Sequence, residues 1–290
     1  MSKKPVEKKD PETTGHEWDG IQEFNNPLPR WWVWVFYLTI VWGIWYTIAY
    51  PAWPMIKGAT AGYLGYSTRA EVAEEIDRFK GMNSELEAQL ASADLTTLTP
   101  GSDLHNYAIQ SGRATFATWC SQCHGSGAAG NVGYPNLLDN DWLWGGSLED
   151  IQMTVAYGIR SEDNDDTRYS EMPAFGDDYL SDEEIAQVVA YTMSLSPVTK
   201  DAADMSLVAD GAVVFEDNCS SCHMEDGTGD RTQGAPNLTD AIWLFGEDKD
   251  TIAGIVSEGP YGVMPAWSGK LTDSQINAVS AYIHQLGGGE

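Results

Sequence analysis

The pattern Cys-x-x-Cys-His occurs twice in this chain, at residues 120–124 and 219–223, and it constrains the possible fold more than any other feature. Two thiols three residues apart lie on one helical turn, so each can add to a vinyl group of a haem. The adjacent histidine then directs a ring nitrogen at the iron. The pattern therefore predicts two covalently bound haem c groups. The residues expected to attach each haem and provide its proximal ligand are Cys120, Cys123 and His124, and Cys219, Cys222 and His223.

The two patterns lie in two copies of one sequence unit, which we expect to form domains at residues 103–197 and 198–290. Three shared features set the register: a Pro-Asn-Leu run, a Met-Pro-Ala run, and a final amphipathic helix that begins with a capping box. In chain order, they start at Pro135, Met172 and Ser181 in the first copy, and at Pro236, Met264 and Thr272 in the second. Both domains are therefore predicted to be small and helical.

Zinc and disulfides are the alternative uses of these cysteines. Two Cys-x-x-Cys pairs also occur in structural zinc sites. Zinc would not explain the histidine after each second cysteine, or why each pair has its own copy of the repeat. Thiols at this spacing form disulfides mainly in redox motifs. Since the two patterns use all four cysteines, haem attachment is the favoured interpretation.

The sixth iron ligand determines what such a haem can do, because an open site binds small molecules whereas a closed site transfers electrons. Only Met172 and Met264, among nine methionines, occupy matching positions of the repeat after the haem pattern. A thioether ligand suits iron(II) and raises the reduction potential. We therefore expect Met172 to pair with His124 and Met264 with His223. His105, which precedes the first pattern, is the alternative ligand.

The first copy is longer than the second near residues 161–170, where it carries four carboxylates. We expect this insertion to be a solvated surface loop, with an acidic docking loop as the alternative.

A membrane anchor is predicted at residues 31–53. No charged residue occurs between Arg30 and Lys57, and about 20 helical residues cross the ~30 Å hydrocarbon core. A buried core helix would need a surrounding globular core. The run also starts too late and is too long for a cleaved signal peptide. Residues 1–30 are expected to be a mostly disordered cytoplasmic tail, and residues 54–102 a spacer helix and linker.

Two observations predict the same orientation. The four lysines near the start of the chain favour a cytoplasmic N-terminus. The haem patterns follow the anchor and so lie on the other side of the membrane, in the periplasm, where c-type haem is expected to be attached. The net charge is -27, almost all of it after residue 30. Such a surface disfavours nucleic acid and attracts a basic protein partner, although solubility or a saline habitat would account for it equally well.

Both copies resemble class I cytochrome c domains, so the resemblance implies an all-α fold with one N-terminal transmembrane helix and two such domains. It also implies that the carbonyls of Pro135 and Pro236 accept hydrogen bonds from the proximal histidines. The N-terminal region sharpens the resemblance. Residues 15–21 (GHEWDGI), 26–32 (NPLPRWW) and 49–54 (AYPAWP) are similar to the diheme subunit of cbb3-type cytochrome c oxidases.

That resemblance implies a non-catalytic subunit of the bacterial inner membrane. It would pass electrons from a periplasmic donor cytochrome, which the charge suggests is basic, to a monohaem subunit and then to a catalytic haem-copper subunit. Besides these proteins, membrane lipid is the expected partner. An anchored cytochrome serving another dehydrogenase or reductase is the alternative. A diheme peroxidase or a haem gas sensor would need an open iron, which two matching Met-Pro runs argue against.

Overall fold

Helices dominate residues 11–290, which are the residues that the computed structural model describes. They are α1 (Arg30–Ala49), α2 (Thr68–Ala91), α3 (Asp103–Thr115), α4 (Ser121–His124), α5 (Leu148–Tyr157), α6 (Asp182–Leu195), α7 (Val208–Asn218), α8 (Ser220–His223), α9 (Lys249–Glu258) and α10 (Asp273–His284). The chain divides into two compact units, Met1–Gly81 and Met82–Glu290, with the boundary inside α2. It is therefore mostly helical, as predicted, although the structure also contains two short antiparallel hairpins.

The first hairpin pairs β1 (Thr13–Trp18) with β2 (Ile21–Phe24). Its two-residue turn is Asp19-Gly20, with φ of 50° and 83°. An Asp-Gly pair with both φ angles positive is the preferred two-residue connection of a hairpin. The prediction of a mostly disordered tail was wrong for this segment, because this turn signal was overlooked. Residues 1–10 of that predicted tail lie outside the described residues. The second hairpin pairs β3 (Pro54–Met55) with β4 (Gly58–Ala59).

Helix α1 is the one helix among residues 11–290 that is long and apolar enough to cross a membrane. It begins directly after Pro29, whose fixed φ suits a helix start. Its side chains are apolar on every face and almost all are exposed, which is the pattern of a helix that faces lipid or another membrane protein. Aromatic rings stack one turn apart along it, as in Trp32 with Phe36 and Trp42 with Tyr46.

The unit Met82–Glu290 contains three hydrophobic clusters. The smallest joins the end of α2 to α3 and α10, and the two larger ones are called the first and second cores. The first core consists of Phe116, Ala128, Leu137, Ile151, Val155, Leu271, Ile276, Val279 and Ile283. The second core consists of Phe175, Ile185, Val188, Val189, Met193, Phe215, Ile252 and Val256. Neither core matches one copy of the sequence repeat, since the first takes its last four residues from the second copy and the second takes its first five from the first copy.

The two copies exchange their final helices. Helix α10, at the end of the second copy, packs along α3 and α5 of the first copy. Helix α6, at the end of the first copy, packs along α7 and α9 of the second. The predicted domain boundaries, 103–197 and 198–290, therefore do not follow the packing. Helices α6 and α7 follow one another along the chain, and consecutive elements usually lie side by side. This pairing leaves α10 for α3.

Two glycines allow these helix pairs to approach closely. A Cβ atom on Gly112 of α3 would lie 2.1 Å from the carbonyl oxygen of Ala278 in α10. A Cβ atom on Gly211 of α7 would lie 2.0 Å from the carbonyl oxygen of Gln187 in α6. Neither distance is possible for a real side chain, so glycine is required at both positions. The helix starts predicted at Ser181 and Thr272 are confirmed, each with a complete capping box.

Candidate haem centres

The first Cys-x-x-Cys-His pattern lies where α3 continues through a π-helical turn, Phe116–Cys120, into the short helix α4. His124 ends α4, and Gly125 then reverses the chain with φ of 78°. Nδ1 of His124 is 3.0 Å from the carbonyl oxygen of Pro135. Because a carbonyl only accepts, Nδ1 carries the proton and Nε2 is left as the nitrogen for a metal.

The second pattern repeats this geometry around α8. Nδ1 of His223 is 3.1 Å from the carbonyl oxygen of Pro236, so Nε2 is again the nitrogen available to a metal. The residue after His223 is Met224, which takes a φ of 65° where the first pattern has Gly125.

Burial sets the protonation of these groups. It lowers the pKa of both His124 and His223, against a smaller opposing effect of the prolyl carbonyls. Both rings are thus kept in the neutral form that binds a metal. Burial, with a smaller contribution from the neighbouring cysteine, raises the pKa of Cys120 and of Cys219 to about 11. Both thiols are therefore protonated at neutral pH.

The predicted axial methionines lie against the opposite cores from those expected. Met264 and Cys120 both pack against the first core. Met172 and Cys219 both pack against the second core. The expected pairing of Met172 with His124 and of Met264 with His223 does not agree with this packing, because each methionine precedes a helix that has been exchanged.

Backbone hydrogen bonds hold each methionine segment beside the other copy. Ile159, just after α5, donates to the carbonyl oxygen of Met264 at 2.9 Å and accepts from its amide at 3.0 Å. In the second core, the amide of Phe175, three residues after Met172, donates to the carbonyl oxygen of Val256 in α9 at 3.1 Å. The exchange therefore includes the methionine segments as well as the helices that follow them.

Two arginines that the sequence analysis did not identify lie close to these segments. Arg160 donates from Nε to the carbonyl oxygen of Gly262 and from Nη1 to that of Ser170, both at 2.6 Å. These carbonyls lie two residues before Met264 and Met172, so one guanidinium ties both methionine segments together. The second arginine is Arg168, which lies in the first-copy insertion at residues 161–170. That insertion was the feature of the sequence that could have pointed to both arginines. Its four carboxylates are exposed, as expected, but Ser161 is buried and the side chain of Arg168 is only 12% exposed.

The remaining histidines have other partners. Nδ1 of His105, the alternative ligand, lies 3.4 Å from the amide of Gly101 at the start of α3. Nε2 of His284 lies 2.9 Å from the carbonyl oxygen of Glu290. His16 lies in β1.

The residues present fit a haem at each core. One imidazole nitrogen and one thioether sulfur form the donor set of an electron-transfer haem. A buried atom gives a second indication, since Nε of Arg168 has no hydrogen-bond partner among the described residues. A buried donor without an acceptor costs about 1–3 kcal/mol. A carboxylate that arrives with a cofactor would remove that cost.

Comparison with known proteins covers nearly the whole chain. A family model described as the N-terminal domain of cytochrome oxidase-cbb3, FixP, matches residues 10–57. A model described as cytochrome c oxidase, cbb3-type, subunit III, matches residues 108–191 and 206–283. The chain is 56% identical over 293 residues to the cbb3-type cytochrome c oxidase subunit CcoP of Cereibacter sphaeroides, and 49% identical over 300 residues to that of Rhodobacter capsulatus, with 100% of each chain covered. It is 49% identical to the subunit FixP of Sinorhizobium medicae, over 96% of this chain and 95% of that one.

Proposed function

Because the chain belongs to the family of subunit III of cbb3-type cytochrome c oxidases, we propose that it relays electrons through two covalently bound haem c groups with crossed axial ligands. It is the electron-transfer subunit, and not the catalytic one. The proposed ligands of the first haem are Cys120, Cys123, His124 and Met264. Those of the second are Cys219, Cys222, His223 and Met172.

The observation that carries the crossed ligation is the packing of Met264 with Cys120 against the first core and of Met172 with Cys219 against the second. His124 and Met264 would then hold the first haem and His223 and Met172 the second, each through one imidazole nitrogen and one thioether sulfur, which is the donor set of an electron-transfer haem. When bound, the haem supplies a reversible one-electron couple. His124 and His223, oriented by Pro135 and Pro236, keep the imidazole side fixed as that couple changes charge.

We further propose that α1 anchors the chain in the bacterial inner membrane, with the N-terminus in the cytoplasm and the haem centres in the periplasm. The length of α1 and the lysines near Met1 support this orientation. Relatives named as subunits of a cbb3-type oxidase support the monohaem and catalytic haem-copper subunits as partners. A net charge of -27 supports a basic cytochrome as the donor.

Two measurements on the purified complex test closed electron-transfer haems. The oxidised subunit should show the far-red methionine-to-iron charge-transfer band for two haems, and neither c haem should bind carbon monoxide when reduced. Carbon monoxide binding to a c haem would contradict the proposal and favour a peroxidase or sensor. Recovery of the chain without a haem-copper subunit in mild detergent would contradict its place in an oxidase.

The crossed ligation is tested in the full chain carrying only the first haem, as in Cys219→Ala, Cys222→Ala. We expect the remaining far-red band to be lost with Met264→Ala and kept with Met172→Ala. The opposite result would establish ligation within each copy.

A second measurement avoids cysteine variants, which can impair folding. A protease site placed in the connection between α6 and α7 is cut in the otherwise unchanged protein. With exchanged helices, the two fragments should stay together on gel filtration and keep both far-red bands. Separation into two folded haem fragments would refute the exchange.

A further inference from the structure

Arg168, in the first-copy insertion, is fixed against the first core. Its Nη1 donates to the carbonyl oxygen of Trp144 at 3.0 Å, and its Nη2 donates to Oδ1 of Asp150 at 2.8 Å. The guanidinium carbon lies 5.4 Å from the centre of the Trp144 ring. The backbone amide of Arg168 donates to the carbonyl oxygen of Gly158 at 3.2 Å. The side chain is therefore held from both ends in one orientation.

One donor of this guanidinium remains unused. Nε of Arg168 is buried, and no acceptor for it exists among residues 11–290. The other contacts of the side chain show that its position is not accidental, since a surface arginine would turn Nε towards water. A guanidinium presents its donors in a planar fork that suits a carboxylate. Asp150 already meets Nη2, so Nε is the donor available to a second carboxylate.

The neighbours of Arg168 assign it to the first haem. Asp150 precedes Ile151, a first-core residue of α5. Gly158 precedes Ile159, whose amide and carbonyl groups both form hydrogen bonds with the backbone of Met264. The second copy has no counterpart. Thr251 occupies the position of Asp150, and the insertion that carries Arg168 is missing from the segment before Met264. The two otherwise similar centres thus differ by the ion pair of Arg168 with Asp150 and by the unused Nε donor of Arg168.

We infer that Arg168 binds a propionate carboxylate of the haem attached to Cys120 and Cys123, and that it raises the reduction potential of that haem. The inference rests on the proposed function, because a haem must occupy the first core. When iron(III) takes up one electron to become iron(II), the positive charge at the haem falls and no bond is broken. A fixed cation that neutralises a propionate therefore favours the reduced form. Arg168 acts through the propionate and is a positioning residue.

The test is an optical redox titration of the c haems in the purified complex. Arg168→Gln should lower the reduction equilibrium constant of one of this chain's two c haems by about three- to tenfold, where tenfold is about 59 mV for a one-electron couple. The other c haem of this chain and that of the monohaem subunit should be unchanged. Arg168→Lys keeps the charge and should recover part of the loss. Arg113→Gln removes an exposed arginine of α3 and should change neither haem. Unchanged potentials in Arg168→Gln, or an equal fall at both haems, would overturn the inference.

Met172→His and Met264→His, each of which moves one c haem to low potential, identify the affected haem. With crossed ligation, the first haem of this chain stays at high potential in the Met172→His protein, so Arg168→Gln should lower its reduction potential there. In the Met264→His protein the second haem stays at high potential, and Arg168→Gln should leave its reduction potential unchanged. The reverse result, a lower potential in the Met264→His protein and no change in the Met172→His protein, would overturn the inference. The single-haem variants establish independently which methionine pairs with which haem. Failure of the proposed function has a different signature, because the wild-type complex would then lack two far-red bands.

Discussion

The close crossing of α3 and α10 gives a quantitative prediction. In Gly112→Ala, the new Cβ atom would lie 2.1 Å from the carbonyl oxygen of Ala278, whereas ordinary contact starts at 3.4 Å. The helix backbones must therefore move apart by more than 1 Å. Overpacking of this kind costs about 1–3 kcal/mol, against a gain of about 0.5–1 kcal/mol for replacing a helical glycine. A net loss of about 1 kcal/mol corresponds to a fall in Tm of roughly 2–4 °C for a domain of this size.

Thermal unfolding of the haem-loaded protein, followed by circular dichroism, measures this change. Gly254→Ala is the matched control, because Gly254 lies inside α9 and a Cβ atom added there would meet no other atom within 4 Å. The control should be slightly stabilised. Ala278→Gly should not rescue Gly112→Ala, since the contact is with a backbone oxygen. A Tm for Gly112→Ala equal to that of the control would refute the close crossing of the two helices.

Three further predictions follow from single groups or from the surface charge. Arg160→Ala removes the link between the carbonyls of Gly262 and Ser170, so the far-red bands of both haems should weaken together; weakening of only one would contradict this. Burial, followed by the charges of Asp240 and Asp139, raises the pKa of Asp141 to about 6. The folded state thus keeps a proton that the unfolded chain releases near pH 4, and stability falls as the pH rises from about 4 to 6. Asp141→Asn should therefore increase the free energy of unfolding at pH 7 and change it little at pH 4, as measured by denaturant titration. Electron transfer from a basic donor should slow as ionic strength rises, and stopped-flow rates independent of salt would exclude electrostatic docking.

Chemistry-bearing residues were the most predictable part of this chain. The Cys-x-x-Cys-His pattern brings two cysteines and a histidine together through local spacing alone, so this grouping can be read from the sequence. The uncharged run before Lys57 likewise has the length of a membrane span. The predicted helix starts at Ser181 and Thr272 were correct because a capping box is a local signal. The turn at Asp19-Gly20 was equally local, and its hairpin could have been predicted.

Pairing between the copies could not have been predicted from the same patterns. Helices α6 and α10 carry equivalent apolar faces and equivalent caps, so either would complete either core. Which final helix completes which core depends on which helices the connecting segments bring together. The sequence pattern does not distinguish pairing within each copy from pairing between the copies, because both bury the same kinds of side chain. Arg168 was missed for a related reason. Its insertion looks acidic and solvated, and its burial arises from contacts with Trp144 and Asp150, which lie 24 and 18 residues away in the sequence.

Helix exchange has a consequence for how the two centres form. The first core is closed by α10, the last helix of the chain, although its proposed haem-attachment residues come first in the sequence. Cys120 is partly buried and packs against this core, which α10 helps to close. The second core needs α6, so it too draws on both copies. Neither centre can close as an independent domain, and loss of packing in one core removes support from the other. Two separately folding domains would lack this coupling, which places both candidate haem centres in the one unit Met82–Glu290.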